Sequence, residues 1–332
     1  MKYLFFGLII GCLHQTGFSQ INLTFDARAP LTSMKLSEIT EDGRYIAIGL
    51  DSIGTPIATD GYFFIRSFSK QRSGVYQFDL SGKLIRTFTN DRSDFRVDTQ
   101  NNRLILISSG HDVSVWDLNG IFIKNISLPP RVTECSHYDI HSFGQNFIWI
   151  QQDIVEKDRI TVRISRLNLG NERLETIMER NFTKELHVIL PHFHFSSVGG
   201  RLYVSDPINT IYQINGTQIR SAVNYNILNY SEQFNNSGFP SYNVVFPRGF
   251  FGRYIYIGYT NRGAMHYLYD TIKKRSWNFS ELTDDVFHTG GTKDFRITQN
   301  GYLIFEKKGA DIPKGVNAER GSTVFFITKL KQ

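Results

Sequence analysis

Gln77-Phe78-Asp79-Leu80-Ser81-Gly82-Lys83 and Val115-Trp116-Asp117-Leu118-Asn119-Gly120-Ile121 are two versions of one phrase. In each, an aromatic ring precedes an Asp whose carboxylate can accept backbone N–H bonds and start a turn. Three residues later a Gly supplies the positive φ that finishes it. Apolar alternation flanks both turns. Tyr62–Ile65 and Val75–Asp79 lead into the first, and Lys83–Phe88 follows it; Arg103–Ile107, Val113–Asp117 and Ile121–Ile126 repeat the order around the second. A period of two is the mark of extended chain, because successive side chains point to opposite faces.

Four weaker copies follow. Their first strands are Phe147–Ile150, Arg201–Val204, Tyr254–Ile257 and Tyr302–Phe305. The matching residues Tyr62, Leu104, Phe147, Leu202, Ile255 and Leu303 are 42, 43, 55, 53 and 48 residues apart. Three or four strands per unit at that period predict a β-propeller, and six units fit. Asp94-Phe95-Arg96-Val97 and Asp294-Phe295-Arg296-Ile297 stand in matching phase ahead of the second and sixth units. The last unit lacks an outer strand, and Arg44–Leu50 has no unit of its own. The expectation is therefore an all-β, six-bladed β-propeller over residues 44–332, its ring closed by an N-terminal strand pairing with the last blade. Residues 20–43 read as a lead-in segment.

The 332 residues include 27 Phe and 16 Tyr, with 41% hydrophobic and 20% charged residues, which is enough apolar material for a core and suits pleated, half-buried strands. The formal charge is +6, but no run of five like charges exists, so no nucleic-acid partner is expected. Met1-Lys2 followed by the apolar Tyr3–Leu13 and small residues at Gly17 and Ser19 reads as a secretory signal over residues 1–19. An alternative uses Ile9-Ile10-Gly11-Cys12 as a lipobox, with a signal over residues 1–11 and a lipid on Cys12 as the membrane link. Either route exports the chain to periplasm, cell surface or medium. It leaves Cys135 without an evident disulfide partner, and a small buried hydrophobe is the expectation there.

The combination of Leu36-Ser37-Glu38-Ile39, Tyr45-Ile46-Ala47-Ile48-Gly49 and Tyr76–Lys83 behind an exported N-terminus resembles the bacterial six-bladed β-propeller family of exported, often lipid-anchored proteins. The resemblance spans most of residues 35–330 and implies a fold rather than an activity. The chain differs from that family at Ala47, where proline is usual, and at Thr89–Ser93, where a glycine- and proline-rich loop is usual.

No phosphate-cradling glycine loop, Gly-x-Ser-x-Gly elbow or His-Glu-x-x-His is present, so nucleotide binding and familiar hydrolase chemistry lose support. His137-Tyr138-Asp139-Ile140-His141 and Pro191-His192-Phe193-His194 precede the first strands of units three and four. Loops there would meet around a central channel. Arg96 and Arg296 would add a cationic rim suited to carboxylate or sulfate. The ligand-binding candidates are thus Arg96, His137, Asp139, His141, His192, His194 and Arg296. The expected function is non-catalytic binding of a glycan, peptide or protein on the central face, with no cofactor. The alternative is a polysaccharide-degrading enzyme of lyase type, with His141 and His194 as its catalytic pair and with or without a divalent metal.

Overall fold

The computed structural model describes residues 20–50, 53–69, 73–89, 94–108, 112–133, 137–142, 144, 146–183, 193–206, 209–230, 245–260, 264–307, 312–313, 315–316, 318 and 322–332. Both readings of the N-terminal signal, Cys12, Cys135 and His192 fall outside these residues.

The chain opens with β1 (Ile21–Asp26), β2 (Met34–Lys35), a single turn of helix α1 (Leu36–Ile39) and β3 (Arg44–Ile48). Antiparallel meanders follow. The first sheet runs β4 (Ile57–Ala58), β5 (Tyr62–Ser67), β6 (Gly74–Asp79) and β7 (Leu84–Thr89). The second runs β8 (Asp94–Asp98), β9 (Arg103–Ile107), β10 (Asp112–Asp117) and β11 (Phe122–Ser127). The third runs β12 (His137–Ser142), β13 (Phe147–Val155), β14 (Arg159–Asn168) and β15 (Leu174–Thr183). The fourth holds β16 (His194–Val198), β17 (Arg201–Ser205), β18 (Thr210–Asn215) and β19 (Gln218–Leu228), and β1 lies parallel to β19 as a fifth strand. The fifth runs β20 (Val245–Phe251), β21 (Tyr254–Thr260), β22 (Ala264–Asp270) and β23 (Arg275–Phe279). A small sheet joins β24 (Leu282–Thr283) and β25 (Gly291–Thr292) to β2. The last sheet holds β26 (Arg296–Ile297), β27 (Tyr302–Lys307) and β28 (Thr323–Lys329), with β3 antiparallel to β28 from Ile48↔Thr323 to Arg44↔Ile327.

Seven sheets are therefore present among the described residues, six of four or five strands and one of three short strands. Each strand read from sequence as the first of a unit is the second of its sheet. A strand precedes it every time, shorter than it in the first, third and last sheets and equal in length in the second, fourth and fifth. The segments containing His137–His141 and His194, read as loops, are these innermost strands β12 and β16. The two Asp-Phe-Arg segments are likewise strands, in β8 and β26 and the residues leading into β26.

The apolar side chains explain the arrangement. Phe63, Phe64 and Ile65 are consecutive and all fully buried. Phe63 and Ile65 pack with Ile304 and Phe325 of the last sheet, whereas Phe64 packs with Leu104 and Leu106 of the second. Both faces of a sheet are thus covered by its neighbours. Further clusters join the second sheet to the third, the third to the fourth, the fourth to the fifth and the fifth to the last. Six sheets packed face to face in succession, each built around an antiparallel meander, make this an all-β propeller. The dense tyrosines of the fifth sheet belong to this packing, since Tyr254, Tyr256, Tyr259 and Tyr267 are all buried. No helix among the described residues is long and apolar enough to cross a membrane.

The repeated turn has the chemistry its sequence implies. The Asp79 carboxylate accepts from the N–H groups of Ser81 at 2.8 Å and Lys83 at 3.0 Å, and Gly82 sits at φ +88°. Asp117 accepts from Ile121 N–H at 2.6 Å, with Gly120 at φ +81°. The two glycines differ in what surrounds them. A Cβ on Gly82 would lie 2.5 Å from the backbone oxygen of Ala47 in β3, whereas one on Gly120 would meet the movable guanidinium of Arg86. Gly82→Ala is expected to cost on the order of 2 kcal/mol or more, combining a strained φ with a backbone clash. Gly120→Ala should cost less, and Gly49→Ala, which meets nothing within 4 Å, least. Urea unfolding of the three variants checks that order.

Candidate functional site

The innermost strands differ from those behind them. β8, β12, β16 and β26 carry Asp, Arg or His among few aliphatic residues. Residues of β8, β12, β16 and β26, with the segment leading into β4, line an open cavity of about 1120 Å³. Arg96 from β8, His141 from β12, His194 from β16 and Arg296 from β26 all line it. Four of the seven residues selected from sequence thus meet at one place, each from a different sheet. His137 and Asp139 lie on β12, opposite Asp153 and Gln151 of β13, but their side chains are outside the described residues, as is all of His192.

The two Asp-Phe-Arg copies both reach this cavity and are wired differently. In the first, Arg96 donates from one Nη to the Asp94 carboxylate at 2.8 Å and to the Phe95 carbonyl at 2.7 Å. Asp94 also accepts from the Phe95 N–H at 2.9 Å, and an Arg66 nitrogen stands 3.9 Å away. This copy is a closed ion-pair network. In the second, Arg296 donates to the Thr55 hydroxyl of the segment before β4. Among the described residues Arg296 forms no salt bridge, and both it and Asp294 are exposed.

Aromatic rings complete the walls. His141 stacks on Phe195 with centroids 3.8 Å apart and planes 18° from parallel, tying β12 to β16. The Arg66 guanidinium lies 4.3 Å above the Phe68 ring. Thr55, Arg66, Phe68 and Glu306 line the cavity and were missed from sequence. Arg66 and Phe68 stand at and just past the end of β5, where nothing in the alternation sets them apart; matching strand ends across units would have been the one available signal. No group of three or more His, Cys, Asp or Glu side chains placed to hold a metal occurs among the described residues.

A family model described as 6-bladed beta-propeller (DUF5128) matches residues 88–306, more than half of the chain. The chain belongs to that family. No protein of curated function matches it. Among solved structures, the propeller of this chain is similar to TolB from Acinetobacter baumannii at 14% identity and TM-score 0.41, covering 68% of this chain and 53% of that one. It therefore spans about half the length of that TolB structure. BamB from Moraxella catarrhalis is similar at 9% identity and TM-score 0.35, covering 88% of this chain and 85% of that one. The Listeria monocytogenes protein lmo1340 is similar at 8% identity and TM-score 0.43, covering 80% and 77%.

Behind the cavity of this 6-bladed beta-propeller protein, Phe295 is held from below by a buried histidine. The His266 ring is 4.5 Å from Phe295 and 5.2 Å from Phe279 by centroids, and its Nδ1 is 2.8 Å from the Tyr256 hydroxyl. Burial lowers the His266 pKa to about 4, against the opposing pull of the Lys293 backbone and the Asp294 charge. The unfolded chain, with its imidazole near the usual 6.5, binds more protons between these values. Stability is therefore complete above about pH 6.5 and is lost as pH falls towards 4, by about 3 kcal/mol from this group. His266→Phe should be less stable at pH 7, because Tyr256 loses its partner. Urea midpoints of wild type and variant should converge as the pH is lowered to 4.

Proposed function

We propose that the protein is an exported, non-catalytic binding module. In this reading it is a six-bladed β-propeller closed by β3, and its central cavity holds the ligand. The observation that carries it is the convergence of Arg96, His141, His194 and Arg296 from four sheets on one cavity of about 1120 Å³. That volume is at the upper end of small-molecule pockets, so it suits part of a polymer rather than a metabolite. The pairing of β3 with β28 and the cluster shared by the last and first sheets support the closed ring. The apolar stretch Tyr3–Leu13 behind Met1-Lys2 supports export.

His141, stacked on Phe195, and His194 line the same cavity and favour one second reading, a lyase-type enzyme on polysaccharide that uses the two imidazoles as an acid–base pair. The two readings separate on turnover. On the first, ligands from a glycan array bind the purified protein and are recovered unchanged. On the second, shortened products accumulate and His141→Ala with His194→Ala stops them. Thr55 is exposed and lines the cavity, so Thr55→Trp should fold normally and fill the opening. Binding in the array should fall at least about tenfold for that variant, whereas the outer-edge change Phe122→Ser should leave it intact. Retention of full binding by Thr55→Trp overturns the cavity reading. The mass of the mature N-terminus tests export, because cleavage after Ser19 and a lipidated Cys12 give different masses.

A further inference from the structure

We infer that the cavity ligand is an acidic oligosaccharide, with its carboxylate or sulfate held by Arg296 and its hydroxyl groups by carboxylates, chiefly Asp294, in the same cavity wall. This rests on the cavity being the binding site and adds the class of ligand.

The argument comes from comparing the two Asp-Phe-Arg copies. They share a sequence, a place in the repeat and a cavity, yet only one is neutralised internally. Arg96 is committed to Asp94 and the Phe95 carbonyl. Arg296 uses one bond to the uncharged Thr55 hydroxyl and has no carboxylate partner among the described residues. A guanidinium has five N–H donors in a rigid fork, and the geometry that satisfies it best is a planar or tetrahedral oxyanion. An exposed arginine at a protein surface finds that need met by water. One at the wall of a cavity, fixed by a hydroxyl at its side, is oriented for a ligand.

The groups around Arg296 narrow the class. Asp294 is exposed two residues away, and Glu306 also lines the cavity. These carboxylates repel a compact polyanion such as inorganic phosphate. They accept hydrogen bonds well, so they favour a ligand with several O–H donors next to its acid group. A sugar acid has that alternation of anion and hydroxyl, whereas an acidic peptide side chain brings the anion without the hydroxyls. Phe68, one face of which carries Arg66 at 4.3 Å, and Phe295 give the cavity wall aromatic surface suited to the C–H groups of a sugar ring. The cavity of about 1120 Å³ has room for more than one sugar unit.

The test uses the mature chain and four probes in titration calorimetry: an oligogalacturonate, a sulfated gluco-oligosaccharide, the neutral cellohexaose, and a hexapeptide of alternating Glu and Phe. One or both acidic saccharides should bind, more weakly as salt rises, and cellohexaose should not. Arg296→Ala should weaken the acidic saccharide roughly 10- to 100-fold with an unchanged melting temperature. The uronate and sulfate arms tell which acid group the site takes. Equal binding of neutral and acidic saccharides, both lost in Thr55→Trp and neither changed by Arg296→Ala, overturns this inference and leaves the cavity reading standing. Binding of the peptide alone, or of none of the four probes, also overturns it. A probe that binds Thr55→Trp as well as wild type lies elsewhere and counts against the cavity reading itself.

Discussion

Burial on both faces is the constraint on which the rest of this structure depends. A strand such as Tyr62–Ser67, with Phe63, Phe64 and Ile65 all at 0% exposure, cannot belong to a sheet with a solvated side. Fully burying each such side chain is worth about 1.5–3 kcal/mol, and none of that gain is available to one sheet alone. Every such sheet needs a neighbour on each face, which packing face to face in succession supplies. The six clusters that join successive sheets, and the last sheet to the first, are the direct expression of that need. Polar contacts then fix the spacing. Arg103 and Asp98 pair at 2.9 Å with 5% and 3% side-chain exposure, and Arg103 also donates across to the carbonyls of Gly144 at 2.7 Å and Phe147 at 2.8 Å in the next sheet. A buried charge so fully bonded stabilises one sheet-to-sheet geometry, since any slip would leave it unpaired.

Radial packing leaves the outer edges to be managed, and two devices do so. In the first, second, third and fourth sheets the outer strand bulges, near the turn at Ile85 and Ile123 in the first two and two residues farther from it along the partner strand at Phe88, Ile177 and Ala222 in the first, third and fourth. A bulge twists an edge away from straight pairing and blunts it. The N-terminal segment supplies the second device. β1 covers β19 in parallel, Thr32 bonds the Asn278 carbonyl of β23 at 2.8 Å, and Leu36 and Ile39 join the cluster between the fifth and last sheets before β3 pairs with β28. The stretch that reads as a lead-in is a strap along the rims of three consecutive sheets.

Which parts were legible follows from where repetition is strong. The Asp-x-x-Gly turns and the buried second and third strands carry pattern that survives from unit to unit, so the repeat and its period could be read directly. The innermost strands could not. β4 and β26 have two residues each, too few for a period, and β12 and β16 mix imidazole with apolar residues because one end meets the cavity. Such segments are indistinguishable from loops in sequence. β1 was opaque for another: its partner, β19, lies some two hundred residues away, and parallel pairing leaves no local turn signal. The site was half visible. Arg96 and Arg296 were found because they occupy one phase of the repeat. Arg66 and Phe68 were not, because the end of a second strand looks the same from sequence whether it faces a cavity or a neighbour.

Repetition built the frame, and departure from repetition marks the site. Residues that agree between units are those that every unit needs for the same physical reason: an aromatic before the turn, Asp to start it, Gly to finish it. A repeated motif whose copies make different contacts has been released from that common demand in one of them. Asp94 and Arg96 satisfy each other, as the shared sequence permits. Arg296 leaves its own Asp294 for the Thr55 hydroxyl although nothing in the motif compels it. Local rules that fold a protein are expected to be relaxed at functional positions, where the missing partner is supplied from outside. On the proposed reading of the cavity, the second Asp-Phe-Arg copy is such a relaxation, placed at its wall.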